Sequence, residues 1–139
     1  MNKTSQPIYI VDDDNAYRKS CVRLLMSVGY SVKSFTSAQG FLDSVSAVHE
    51  TGVLILDLRM PGMNGFALQE RLNELESRLK IIFITADAQP GDREHALRSG
   101  ATAFLQKPFQ EQILFESINS ALSSLADEQK ESNHDESGK

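Results

Sequence analysis

The sequence predicts a single α/β domain built on one doubly wound parallel sheet. Short apolar runs rich in Val, Ile and Leu alternate along the chain with longer segments in which apolar residues recur at helical spacing. Several of these runs stop abruptly at Asp, Thr or Lys, as buried parallel strands stop at the edge of a sheet. With 139 residues, of which 40% are hydrophobic and 24% charged, the chain has the size and composition of one globular domain.

The first third of the chain predicts two strand–helix pairs. Ile8–Val11 is a short apolar run that ends at consecutive aspartates, and Asn15–Val28 carries its apolar residues at helical spacing. Gly29 follows as a C-terminal stop for that helix. Ser31–Phe35 alternates well enough for a second strand, and Ser37 can cap a helix that runs to about Val48.

The rest of the chain repeats this design. The central strand has apolar residues without alternation, which is typical of a strand covered on both faces. The predicted elements are the strand Val53–Leu56 ending at Asp57, a helix to about Glu74, the strand Ile81–Ile84 ending at Thr85, a helix from Asp92 to near Gly100, the strand Ala103–Leu105 and the helix Glu111–Leu125.

Five strands alternating with five helices imply right-handed crossovers, which place helices on both faces of the sheet. We therefore expect a flavodoxin-like strand order, 2-1-3-4-5. The predicted domain covers residues 8–125, after an N-terminal extension over residues 1–7. Residues 126–139 are almost entirely polar, and we expect a disordered tail or the start of a linker there.

Charge and composition exclude several classes of function. The formal net charge is −5, so we expect no basic face and no direct nucleic acid contact by this domain. The single cysteine, Cys21, lies among apolar residues of a predicted helix, is expected to fill the core and fits a reducing compartment. No apolar run resembles a signal peptide or a membrane span, so we expect a cytoplasmic protein without membrane contact.

Polar residues stand at the carboxyl ends of four predicted strands. They are Asp12 and Asp13 after the first strand, Asp57 after the third, Thr85 after the fourth and Lys107 after the fifth. In an open parallel sheet these ends share one edge, where ligands bind. Neighbouring carboxylates repel one another unless a cation joins them. Because the ligands are all oxygen atoms, we expect Mg²⁺, with Mn²⁺ as a substitute.

This site has the groups that are needed to accept a phosphoryl group. Asp57 stands alone on the central strand and is best placed to attack, whereas Asp12 and Asp13 are adjacent and better suited to share a metal ion. Lys107 can then pair with a phosphate oxygen and Thr85 can donate a hydrogen bond.

The order of these motifs resembles the receiver domain of two-component response regulators, over roughly Pro7 to Leu125. The matching motifs are Asp12-Asp13, Asp57-Leu-Arg-Met-Pro61-Gly-Met-Asn-Gly65, Thr85-Ala86 and Lys107-Pro108. The resemblance implies that Asp57 is the phosphoacceptor, that Thr85 is the switch hydroxyl and that Lys107 is the phosphate partner. It implies metal ligation by Asp12, Asp13, Asp57 and the backbone carbonyl of Arg59.

The resemblance also implies a switch and its partners. The Lys107–Pro108 bond should be cis, and Phe104 stands where such receivers have an aromatic rotamer switch coupled to Thr85. The phosphodonor would be a sensor histidine kinase or a phosphotransfer protein. Phosphorylation would alter the surface of the fourth helix, fifth strand and fifth helix, where a partner or a second copy of the chain would dock.

Two other functions are compatible with the sequence. Asp12-Asp13-Asp14 superficially offers the Asp-x-Asp of haloacid-dehalogenase phosphatases, although Asp14 can equally cap the first helix. A receiver-like interaction module that is never phosphorylated is the second alternative.

Arg59 and Asp87 are each two residues beyond a site residue, and we expect them to pair across the entrance of the phosphoryl site. The output is either that of a severed transcription factor or that of a stand-alone regulator.

Overall fold

The computed structural model describes residues 6–44 and 48–137, with side chains as far as Glu128. These residues form one parallel sheet of five strands in the order β2-β1-β3-β4-β5. The predicted fold class and strand order are therefore confirmed. Among the described residues, no helix is both long and apolar enough to cross a membrane.

The strands end within one residue of the ends predicted from the sequence. Their bounds are β1 Ile8–Val11, β2 Val32–Phe35, β3 Gly52–Asp57, β4 Leu79–Thr85 and β5 Ala103–Gln106. Every residue of β1 and β3 is buried, as expected for strands covered on both faces.

Five helices of five or more residues connect and follow the strands in the described residues. They are α1 Asn15–Ser27, α2 Ala38–Leu42, α3 Gly65–Glu74, α4 Asp92–Arg98 and α5 Glu111–Ser137. Side-chain caps start three of them: Asp14 caps α1, Ser37 Oγ accepts a hydrogen bond from Gly40 N at 3.0 Å at the start of α2, and Asn64 Oδ1 accepts one from Ala67 N at 2.9 Å at the start of α3.

Two helix ends differ from the prediction. α2 ends at Leu42, whereas the predicted helix runs to about Val48; Val48 and His49 are helical as well, and residues 45–47 lie outside the described part of the chain. α5 continues to Ser137 rather than ending at Leu125. The structure thus gives a helix for residues 126–137, where a disordered tail or the start of a linker is the expectation; this segment is rich in helix formers and contains no Pro or Gly. Residues 1–5 and 138–139 lie outside the described residues.

The two faces of the sheet carry separate hydrophobic clusters, which is what double winding produces. Successive strand residues point to opposite faces. The cluster on the face with α2, α3 and α4 includes Tyr9, Val11, Leu54, Leu56 and Phe83. The cluster on the face with α1 and α5 includes Ile8, Ile10, Val53, Ile55 and Cys21. Cys21 is only 5% exposed, so its predicted place in the core is confirmed.

Hydrogen bonds beyond the strands hold the residues that follow them. Leu58 N donates to Ile84 O at 2.9 Å, and Lys107 N donates to Thr85 O at 2.7 Å. The parallel ladder therefore continues one residue past the ends of β3 and β5. This fixes the backbone beside Asp57 and at Lys107 along the same edge of the sheet.

Candidate functional site

Three carboxylates from two strand ends meet at the carboxyl edge of the sheet. Asp12 and Asp13 follow β1, Asp57 ends β3, and one oxygen of each lies within 4.8 Å of the others. Asp12 and Asp57 are buried, whereas Asp13 is exposed. A set of oxygen atoms that is open on one side suits a hard divalent cation that keeps some of its water. The residues present therefore fit the predicted magnesium ion.

Asp12 is the most heavily bonded member of the cluster. Its Oδ1 accepts a hydrogen bond from Asp14 N at 2.9 Å, and its Oδ2 lies 3.1 Å from Lys107 Nζ. The backbone carbonyl of Asp12 also accepts a bond from Arg18 Nη1 at 2.9 Å. The structure thus brings Lys107 into the site through Asp12. The peptide bond between Lys107 and Pro108 is cis, as the motif implies.

The surroundings of Asp57 disfavour its ionised form when no cation is bound. Burial raises the pKa of the Asp57 carboxyl to about 7, and the neighbouring carboxylates of Asp12 and Asp13 act in the same direction. The Lys107 ammonium lowers the pKa of Asp57 but does not cancel these effects. A bound cation would favour the ionised carboxylate, which is the form able to act as a nucleophile.

The backbone of Asp57 is packed against a glycine that has no room for a side chain. A Cβ atom on Gly65 would lie 2.8 Å from the carbonyl oxygen of Asp57, 2.9 Å from Phe83 Cε1 and 3.0 Å from Leu58 Cα. Gly65 N also donates to Leu58 O at 2.9 Å. The glycine at the start of α3 therefore lets the loop after β3 close tightly under the site.

Thr85 and Phe104 lie on the strands beside this cluster. Thr85 ends β4 and is fully buried, and its Oγ1 accepts a hydrogen bond from Asp87 N at 3.1 Å. Phe104 lies on β5 opposite Phe83, with ring centroids 6.4 Å apart. Phe104 is 6% exposed and also lines a cleft of about 280 Å³ beside the loop between β4 and α4.

The expected pair between Arg59 and Asp87 is wrong. The Arg59 guanidinium instead donates to the carboxylate of Asp92, the first residue of α4. Asp87 Oδ1 accepts from Gln89 Nε2 at 2.7 Å. Sequence spacing placed Arg59 and Asp87 at one entrance, but the helix start offers Arg59 a more buried carboxylate, whose side chain is only 11% exposed.

Asp14 caps α1 and is not a member of the carboxylate cluster. Its Oδ1 accepts a hydrogen bond from Tyr17 N at 3.1 Å, which confirms the capping interpretation. The Asp-x-Asp arrangement that a haloacid-dehalogenase phosphatase would need is therefore not favoured.

Tyr17 is a site residue that the sequence analysis missed. The Nζ atom of Lys107 lies 3.9 Å from the centroid of the Tyr17 ring. One signal was available: Tyr17 and Cys21 are one helical turn apart, and Cys21 was expected to face the core. Tyr17 therefore had to lie on the face of α1 that is turned toward the sheet.

Comparisons with known proteins agree with this geometry. The family model for the response regulator receiver domain matches residues 8–119. The response regulator protein TmoT of Ectopseudomonas mendocina is 44% identical over 131 residues, covering 94% of this chain and 59% of TmoT. The transcriptional regulatory protein TdiR of Thauera aromatica is 41% identical over 130 residues, covering 89% of this chain and 56% of TdiR.

A solved structure of a response regulator also resembles this chain. The low-resolution structure of the response regulator StyR superposes with a TM-score of 0.86 at 35% identity, covering 96% of this chain and 67% of that one. This chain spans less than two thirds of the length of TmoT and TdiR.

Proposed function

The chain belongs to the response regulator receiver domain family and acts in two-component signal transduction, and from this premise we propose that Asp57 is its phosphoacceptor. One observation carries the proposal. A buried carboxylate at the end of the central strand lies among two further carboxylates, beside an ammonium group on the fifth strand end. This arrangement offers a nucleophile, a cation site and a partner for a phosphoryl oxygen.

Mg²⁺ is the proposed cofactor, with Mn²⁺ as a substitute. Asp12, Asp13 and Asp57 would hold it, together with the backbone carbonyl of Arg59. When bound, the ion supplies positive charge that neutralises the carboxylates and the incoming phosphoryl oxygens.

In the proposed reaction, a carboxylate oxygen of Asp57 attacks the phosphorus atom of a phosphohistidine. The P–N bond of the donor breaks, its imidazole nitrogen leaves, and an O–P bond to Asp57 forms. Lys107 pairs with one phosphoryl oxygen, and the Thr85 hydroxyl donates a hydrogen bond to another. The domain would catalyse only its own phosphorylation and dephosphorylation.

The proposed output is a shift between two arrangements of the surface formed by α4, β5 and α5. Thr85 moves toward the phosphoryl group, and the ring of Phe104 follows into the space beside it. Leu97 on α4 and Ile113 on α5 are large apolar residues that are 39% and 40% exposed on this surface. They support docking of a partner or of a second copy of the chain there.

The proposed location of the protein is the cytoplasm, and its proposed partners are a sensor histidine kinase or phosphotransfer protein and an output domain. TdiR is named as a transcriptional regulatory protein and is longer than this chain, which supports a receiver that controls transcription through a further domain. The acidic net charge of −5 supports the absence of direct nucleic acid contact by the receiver itself.

Chemical mapping of the phosphorylated residue tests this proposal. After incubation with acetyl phosphate and Mg²⁺, borohydride reduces an aspartyl phosphate to homoserine, which peptide mass spectrometry locates. We expect homoserine at position 57. Homoserine at position 12 would support the phosphatase alternative instead, and none at any position would support the unphosphorylated interaction module.

A further inference from the structure

We propose that Tyr17 is a positioning residue for phosphoryl transfer, whose ring face holds the Lys107 ammonium toward Asp57. The inference rests on the proposed function and adds a residue to it. It comes from the contact between Lys107 Nζ and the Tyr17 ring, with 3.9 Å between the nitrogen atom and the ring centroid.

Lys107 needs more than one partner to stay in place. Its side chain is flexible, and only 14% of it is exposed, so its charge is largely removed from water. Asp12 Oδ2 at 3.1 Å is the anionic partner. The ring of Tyr17 supplies a second attraction from another direction, because its face carries partial negative charge. Two attractions from different elements define where the ammonium lies.

An aromatic ring suits this position better than a third carboxylate would. A ring attracts the ammonium without a formal charge and without accepting a strong hydrogen bond. The N–H groups of Lys107 that do not bond to Asp12 therefore stay available to a phosphoryl oxygen. A carboxylate in the same place would compete with the phosphoryl group and would also raise the pKa of Asp57 further.

Two contacts fix Tyr17, one through its backbone and one through its ring. The backbone N–H of Tyr17 donates to the capping carboxylate of Asp14 at 3.1 Å, which fixes the first turn of α1. The ring packs edge-on against Phe109, with centroids 6.4 Å apart and planes at 74°. Phe109 lies two residues after Lys107, so one loop supplies both the ammonium and the support for the ring.

The pair Tyr17→Phe and Tyr17→Leu tests the proposal. Phe keeps the ring face and the packing on Phe109, whereas Leu keeps apolar bulk but removes the ring. The first measurement is the rate at which an amine-acylating reagent modifies Lys107, followed by peptide mass spectrometry without Mg²⁺ or phosphodonor. Lys80 pairs with Glu128 on α5, and its rate serves as the internal reference. Unchanged circular dichroism controls for folding.

We expect Tyr17→Leu to raise the relative acylation rate of Lys107 roughly threefold to tenfold, and Tyr17→Phe to match the wild type. The second measurement is the affinity of the Mg²⁺-loaded protein for beryllofluoride, a mimic of the phosphoryl group. Tyr17→Leu should weaken this affinity by a similar factor, while Tyr17→Phe leaves it unchanged. If Tyr17→Leu does not fold, Tyr17→Met takes its place.

Two results would overturn the proposal. One is a Tyr17→Leu variant with wild-type acylation of Lys107 and wild-type beryllofluoride affinity. The other is a Tyr17→Phe variant as strongly affected as Tyr17→Leu, since the hydroxyl and not the ring would then matter. Failure of the proposed function looks different, because the wild type itself would then not bind beryllofluoride. The acylation rates would still decide whether Tyr17 holds Lys107.

Discussion

The guanidinium of Arg59, in the loop after β3, pairs with the carboxylate of Asp92, the first residue of α4. Asp92 also accepts a hydrogen bond from Gln89 N at 2.8 Å. One carboxylate therefore joins the loop that follows Asp57 to the start of α4. A movement of α4 away from the loop after β3 would break this pair.

We expect Arg59 and Asp92 to be coupled energetically. Arg59→Ala would leave a mostly buried carboxylate without its cationic partner, and should lower the free energy of unfolding by about 1–2 kcal/mol. Asp92→Asn removes that charge, so the double variant should lose about 1 kcal/mol less than the sum of the two single variants. Urea unfolding of all four proteins measures the coupling. Additive losses would mean that the two side chains do not interact in solution.

Ionisation of Asp57 should make the metal-free protein less stable as pH rises. Its pKa is about 7 in the fold, against 3.8 for an ordinary Asp, so between pH 4 and pH 7 the folded state binds more protons than the unfolded state. The contribution of Asp57 to the free energy of unfolding is therefore fully present below about pH 4 and is lost as the pH rises across that window. Asp57→Asn should escape this loss and be more stable than the wild type at pH 8, by roughly 1–3 kcal/mol.

The measurement is urea unfolding at pH 5 and pH 8 with and without Mg²⁺. Mg²⁺ should restore wild-type stability mainly at pH 8 and should have little effect on Asp57→Asn. Identical pH profiles for the two metal-free proteins would show that Asp57 ionises normally in the fold.

Gly65→Ala should disturb both stability and the position of Asp57. The added Cβ would meet two backbone atoms and a core ring at 3.0 Å or less, and we expect a loss of about 2–4 kcal/mol in thermal or urea unfolding. Gly40→Ala is the matched control, because its Cβ meets only Ser37 Oγ at 3.1 Å within a helix. A Gly65→Ala variant as stable as Gly40→Ala would contradict the close approach at Asp57.

Asp14→Ala separates a capping role from a chemical one. The change removes one hydrogen bond at the start of α1 and should lower the free energy of unfolding by about 1 kcal/mol. Phosphorylation by acetyl phosphate should still reach the same extent. Loss of phosphorylation in a folded Asp14→Ala protein would show that Asp14 takes part in the reaction.

Much of this architecture follows from local sequence patterns. The apolar runs that end at Asp57 and Thr85 predicted both the central strands and the side chains at their ends. The parallel sheet then required those residues to share an edge. The chemistry of carboxylates and an ammonium at that edge followed without further structural information.

Other features depend on tertiary contacts or on weak local preferences. Arg59 was matched with Asp87 because spacing along the chain says little about which helix start a long side chain will reach. The contact between Tyr17 and Lys107 joins α1 to the residue after β5, and helical spacing indicates only that Tyr17 faces the sheet, not which side chain it meets. The length of α5 was missed because helix propensity persists after Leu125, where the packing stripe ends.

Intact mass spectrometry of the wild type and Asp57→Asn, each incubated with acetyl phosphate and Mg²⁺, tests the central claim most directly. The account predicts that the wild type gains one phosphoryl group, that the gain disappears on chelation of Mg²⁺ before addition, and that Asp57→Asn gains none. A wild type without any gain, or an Asp57→Asn protein that is phosphorylated to the same extent, would contradict the claim that Asp57 is the phosphoacceptor.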